Sequence, residues 1–219
     1  MNWFQAFQAA SNNLQTANAI QNLKALNDSK NQQQLEAEFQ KALANEDPVV
    51  MNDYGIYLYE SGNKETGLEY LTKAALKGVA HALASVTWYK LRDGEHDDAI
   101  TLYKACRVKL SIGDDPYQLA NCDGNYWLNS LALGGSEKDA EKTWLLHSTK
   151  VNHAESFFYP VVLAHRAKDF AKRDKLAKSL KKEHWEEMKE VMIEEQMLAK
   201  GWFKKWCSDA NKVIELMGH

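Results

Sequence analysis

Apolar side chains recur along this chain at three- and four-residue steps, the period of one face of an α-helix. Trp3, Phe7, Ala10, Leu14 and Ala17 begin the pattern, and Ile20, Leu23 and Leu26 continue it with drift. Residues 1–34 contain 14 Asn or Gln side chains. The stripe therefore predicts an amphipathic helix with a weakly charged outer face. A second helix places Leu35, Phe39, Ala42 and Leu43 on one side. Beyond it the pattern predicts paired helices over about 48–60 and 64–77, 80–92 and 96–110, 116–133 and 137–150, then 156–167 and 170–182. From about 183 to 217, Trp185, Met188, Met192, Ala199, Trp202, Trp206, Val213 and Leu216 fall near heptad spacing, interrupted by Glu195 and Asp209, with Gly201 as a kink or break.

Local chemistry supports these limits. Asp47-Pro48 and Asp115-Pro116 each combine an N-cap with a residue favoured at the first helical position. Gly62, Gly78, Gly94 and the pair Gly134-Gly135 stand where helices end, and glycine supplies the left-handed cap. The punctuation is also periodic. The stretch from Gly62 to Ala74 aligns with that from Gly94 to Cys106, 32 residues later, and the stretch from Gly135 to His147 is a weaker third copy, with Ala140 answering to Gly67 and Ala99. A helix–turn–helix period of this length is the signature of stacked helical hairpins.

These residues resemble tetratricopeptide-type repeats, specifically the Sel-one-like subclass. The best copy runs from Pro48 to Val79, with Tyr54-Gly55, Leu58, Gly67, Leu71 and Ala74, and ends in Ala74-Ala75-Leu76-Lys77-Gly78-Val79-Ala80. Small residues at 55, 67 and 74 would let the two helices approach closely. In the second copy Thr87 stands where a small Gly is expected and Lys90 at a usual apolar position, while Ala99, Tyr103 and Cys106 match; the third copy matches only in its second helix. The resemblance covers about 48–150. It implies an all-α fold, a helical-hairpin solenoid with N-terminal helices (1–46), a repeat core (47–150), a degenerate hairpin (151–182) and a C-terminal capping helix (183–219), forming one domain over 1–219. The same C-terminal stripe also reads as a homodimer or partner helix.

In that family the first helices of successive hairpins line a concave groove. By position the resemblance puts Asn52, Ile56 and Tyr59, Trp88 and Arg92, and Asn125 and Asn129 on that face. Asn both donates and accepts hydrogen bonds and suits a peptide backbone; Tyr, Trp and Arg anchor interfaces. Trp88 reads more readily as a core residue than as a groove residue, and Asn125 reads also as a solvated helix residue.

Composition narrows the choice. The net charge is −3, from 27 basic and 30 acidic residues, and gives no global attraction to nucleic acid or anionic membranes. No stretch approaches a membrane span. The start shows no secretory pattern, and Cys106, Cys122 and Cys207 suit buried or free thiols in a reducing cytoplasm better than a disulfide framework. Among the seven histidines no metal-site spacing occurs, His147 reads as a partly buried structural residue, and no phosphate-binding or nucleophile motif is present. No catalytic residue, metal or cofactor is expected. Eight cations lie within 17 residues: Arg166, Lys168, Lys172, Arg173, Lys175, Lys178, Lys181 and Lys182. They can be neutralised by the acidic run after residue 183, or they can offer a face to RNA or an acidic protein. The expected function is a non-enzymatic scaffold that takes a partner protein's helix or peptide in its groove. The alternatives are an immunity or antitoxin protein that binds a toxin tightly, and a nucleic-acid module using 166–182.

Overall fold

A computed structural model describes residues 39–40, 43–44, 46–110 and 116–217. The helix expected over 1–34 and the Asp115 cap lie outside the described residues. Among the described residues the fold is all-helical. It comprises α1 (Pro48–Glu60), α2 (Lys64–Leu76), α3 (Ala80–Asp93), α4 (His96–Arg107), α5 (Pro116–Ala132), α6 (Glu137–Ser148), α7 (Ala154–Arg166), α8 (Phe170–Ala177), α9 (Lys182–Leu198) and α10 (Gly201–Leu216). No helix among them is long and apolar enough to cross a membrane.

The helix limits follow the capping chemistry. The Asp47 carboxylate accepts from the Val49 amide at 2.8 Å, and Pro48 opens α1. At the ends of α1, α2, α3 and α5, Gly62, Gly78, Gly94 and Gly134 take φ between 83° and 100°, where a Cβ would be strained. An amide five residues on closes the turn in each case, as in Asn63 to the Leu58 carbonyl at 2.9 Å and Glu95 to that of Lys90 at 2.8 Å. The same closure ends α7, between the Asp169 amide and the Ala164 carbonyl. There the left-handed position is occupied by Lys168, at φ 59°.

The chain divides into two compact units, one up to Ser85 and one from Val86. In the first, α1 and α2 form a hairpin whose closeness depends on glycine. A Cβ on Gly67 would lie 2.7 Å from both the Gly55 carbonyl oxygen and the Tyr59 amide nitrogen; one on Gly55 would lie 2.8 Å from Leu71 Cγ. Leu71 and Ala74 are fully buried, and Phe39 packs with Tyr54 and Leu58, its ring 4.9 Å from that of Tyr54.

In the second unit α7 is the central helix. It packs against α5, α6, α8, α9 and α10. Phe158, Tyr159, Val161 and Val162 are buried, and Trp144, Tyr159 and Trp206 form an aromatic cluster with ring separations of 5.1–6.4 Å. Of the hairpin expected over 151–182, the first helix, α7, is thus well buried, while the second, α8, has no buried residue. The C-terminal stripe breaks at Gly201 into two helices, α9 and α10, because Ala199 and Lys200 are extended before it. The stripe read as a cap or partner helix faces mostly inward: Met188, Met192, Trp206 and Val213 are fully buried. Cys106, Cys122 and Cys207 are free, buried thiols.

Candidate functional site

All seven residues expected to face a groove are buried, each exposing 8% or less. Asn52 donates through Nδ2 to Asp53 Oδ1 at 3.0 Å and to His81 Nδ1 at 3.2 Å. Ile56 and Tyr59 lie in the packing of the first hairpin, with Lys64 Nζ 4.8 Å above the Tyr59 ring. Trp88 packs edge-on to Phe203 and donates its indole N–H to Glu195 Oε1 at 3.2 Å. The Arg92 guanidinium grips the same carboxylate with two bonds, Nε to Oε2 at 2.9 Å and Nη2 to Oε1. Asn129 donates to the carbonyls of Thr87 and Asn125, at 3.2 and 2.9 Å, and its Oδ1 accepts from His96 at 3.0 Å. The seven side chains expected on a groove face are thus buried in this structure. An anchor must offer surface, and these side chains are occupied by internal contacts.

These contacts have a pattern of their own. Asn52–His81, His96–Asn129, Asn121–His153 and Asn152–His184 are Asn–His pairs separated by 29, 33, 32 and 32 residues. Each distance in sequence is close to the 32-residue spacing of the aligned glycine-led stretches. Asn121, absent from the expected set, pairs with a histidine as Asn52 does. Both stand three residues before a glycine, in Asn52-Asp53-Tyr54-Gly55 and Asn121-Cys122-Asp123-Gly124. That alignment was available in the sequence. It is obscured because α5 has 17 residues where α1 has 13, one extra turn that displaces everything after it.

Two carboxylates organise the second unit. Asp123 accepts from Tyr103 at 2.6 Å, from Arg107 Nε at 2.8 Å and from His147 Nε2 at 3.1 Å, which ties α4, α5 and α6 together. Burial works to raise its pKa, but the hydrogen bonds from His147, Arg107 and Tyr103 outweigh that and hold it below the usual carboxylate range. Glu195 is the reverse case: burial pushes its pKa up despite Arg92 and Trp88. No group of three His, Cys, Asp or Glu among the described residues is arranged to hold a metal ion.

In the first unit burial raises Asp53 to about 6. The neutral carboxyl suits the site, so its contribution to stability is present below about pH 4 and disappears as pH rises through 6. Asp53→Asn, which keeps the acceptor for Asn52, is expected to stabilise the fold at pH 8 by about 1–2 kcal/mol and to leave it near wild type at pH 4. Urea unfolding at the two pH values checks this, and an equal change at both would contradict it.

An open site lies elsewhere. A cavity of about 480 Å³ in the second unit is lined by Glu137, His165, Arg166, Lys168, Phe170, Lys205 and Asp209. The ends of α7 and α8 bring His165, Arg166, Lys168 and Phe170 together, and α10 supplies Lys205 and Asp209. Arg166 Nη1 is held by Asp209 at 2.9 Å, with its guanidinium over Trp202 and Trp206. Burial, followed by the Arg173 charge, lowers the His165 pKa, so its ring is neutral at pH 7. Lys168 and Lys205 are exposed, and among the described residues neither has an ion-pair partner. Phe170 is half exposed, with Arg173 5.0 Å from its ring centre.

The basic run of 166–182 is largely neutralised, though mostly not by the acidic run after 183. Lys172 pairs with Glu141, Arg173 with Asp174, Arg166 with Asp209, Lys181 with Glu183 and Lys182 with Glu186. Lys168, Lys175 and Lys178 remain.

Comparison with protein-family models, with curated proteins and with solved structures finds no match.

Proposed function

We propose that the chain is a non-enzymatic interaction scaffold built on tetratricopeptide-like hairpins, acting in the cytoplasm by binding another protein. The observation that carries this reading is the set of Asn–His pairs between positions 29–33 residues apart. In stacked hairpins each unit contacts its neighbours, so contacts recur at about one period; three of the pairs run from an Asn to a His about one period later, and the fourth runs from His96 of α4 to Asn129 of α5. The recurring left-handed closures at Gly62, Gly94, Gly134 and Lys168 support the same reading. The Asn and His side chains then act as internal register pins, and the partner is met by exposed groups.

A nucleic-acid role for 166–182 is less favoured, since five of its eight cations already have carboxylate partners within the chain. Counterion release needs free cations.

Affinity capture of the tagged full-length chain from its native host, with mass spectrometry and sizing, tests the proposal. One stoichiometric protein partner is expected, and a partner toxic on its own would specify the immunity form. Recovery of RNA without protein would overturn the reading.

A further inference from the structure

We propose that the cavity bounded by α7, α8 and α10 binds an acidic segment of the protein partner, with carboxylates at Lys168 and Lys205 and an apolar side chain against Phe170. The inference rests on the scaffold reading and gives the chemistry of the partner.

Three features converge on it. First, the volume of about 480 Å³ lies within the range of ligand sites. Second, the charge available to a ligand is positive. Arg166 is cancelled by Asp209 and His165 is neutral, which leaves Lys168 and Lys205 against Glu137 alone. Third, Lys168 holds a left-handed backbone where the ends of α1, α3 and α5 use Gly62, Gly94 and Gly134. A lysine there is strained, and strain maintained beside an open cavity points to a use for the side chain.

The lining also selects among anions. The Arg fork that would grip a phosphate bidentately is already held by Asp209, and the free cations are point charges on flexible stems. One face of the Phe170 ring has Arg173 close to it, which limits base stacking. Separate lysines that share a lining with an apolar ring match a peptide that carries both acidic and apolar residues.

The probe is a fluorescein-labelled eight-residue peptide of alternating glutamate and leucine, with a glutamine–leucine control, titrated into the full-length chain. Wild type is expected to bind the acidic peptide and not the control, and to weaken steeply between 50 and 300 mM salt. Lys168→Gly combined with Lys205→Gln should reduce affinity at least tenfold. Lys168→Gly alone should also raise the melting temperature, by about 2–4 °C, because glycine is unstrained at that φ. Loss of binding with a gain in stability excludes misfolding as the cause. Equal affinity in the variants, absence of binding at 50 mM salt, or a single-stranded RNA oligonucleotide binding more tightly through the same lysines would each overturn the proposal. A captured partner retained equally by the double variant would overturn the cavity and leave the scaffold reading standing. Capture of no protein would overturn the scaffold reading, while the peptide titration still judges the cavity.

Discussion

Arg92→Met is expected to destabilise the second unit by about 3–5 kcal/mol, the usual effect of leaving a buried carboxylate without its cation. The side chains of Arg92 and Glu195 expose 6% and 1%, and the Glu195 oxygens accept from both Arg92 and Trp88. Once the guanidinium is removed, Glu195 keeps only the indole N–H and must ionise in an apolar setting or take up a proton. Burial already raises its pKa with Arg92 present. Stability of the variant should therefore be highest at acid pH and fall as pH rises and Glu195 ionises. Replacing both residues, Arg92→Met with Glu195→Leu, should recover most of the loss, since an apolar pair carries no desolvation cost. Urea unfolding of the two single variants and the double variant completes the cycle. A change below about 0.5 kcal/mol in Arg92→Met, together with weakened partner binding, would restore Arg92 as a surface anchor.

The second large effect concerns glycine. Gly67→Ala should destabilise the α1–α2 hairpin by about 3 kcal/mol, although alanine inside a helix is intrinsically better than glycine by about 1 kcal/mol. The added methyl would meet backbone atoms of Gly55 and Tyr59 at 2.7 Å, and backbone cannot rotate aside as a flexible side chain can. The helices would have to separate, which opens space around Leu71 and Ala74, both fully buried. Gly124→Ala is the internal control. Its Cβ would find only Trp144 Nε1, at 3.7 Å, so intrinsic propensity should prevail and the variant should gain up to about 1 kcal/mol. Chemical denaturation of both variants distinguishes the cases. Equal destabilisation would contradict the close-approach argument.

That contrast also shows what was legible in the sequence. The small residues at 55 and 67, the Asp47 cap and the glycine stops are local signals, and each appears at the expected place because its cause is local. The partner of Arg92 lies 103 residues away, on a helix whose Glu195 looked like an interruption of an apolar stripe. Nothing periodic announces a long-range buried ion pair. The Asn positions are visible as residue types, but with 17 residues in α5 the spacing points to Asn125, whereas the Asn that meets a histidine as Asn52 does is Asn121. The α9–α10 break was signalled by Gly201, while the inward orientation of the Trp and Met stripe depended on α7 being central. Lys168 was counted within a basic run; its significance as the residue in a glycine's place emerges only when its φ is compared with those of the other helix ends.

The measurement that bears most directly on the central claim is light-scattering sizing of the full-length chain mixed with its purified captured partner. The scaffold account expects one discrete complex of fixed stoichiometry that persists at micromolar concentration. A chain that elutes unchanged beside that protein, or that shifts only on addition of RNA, would contradict it.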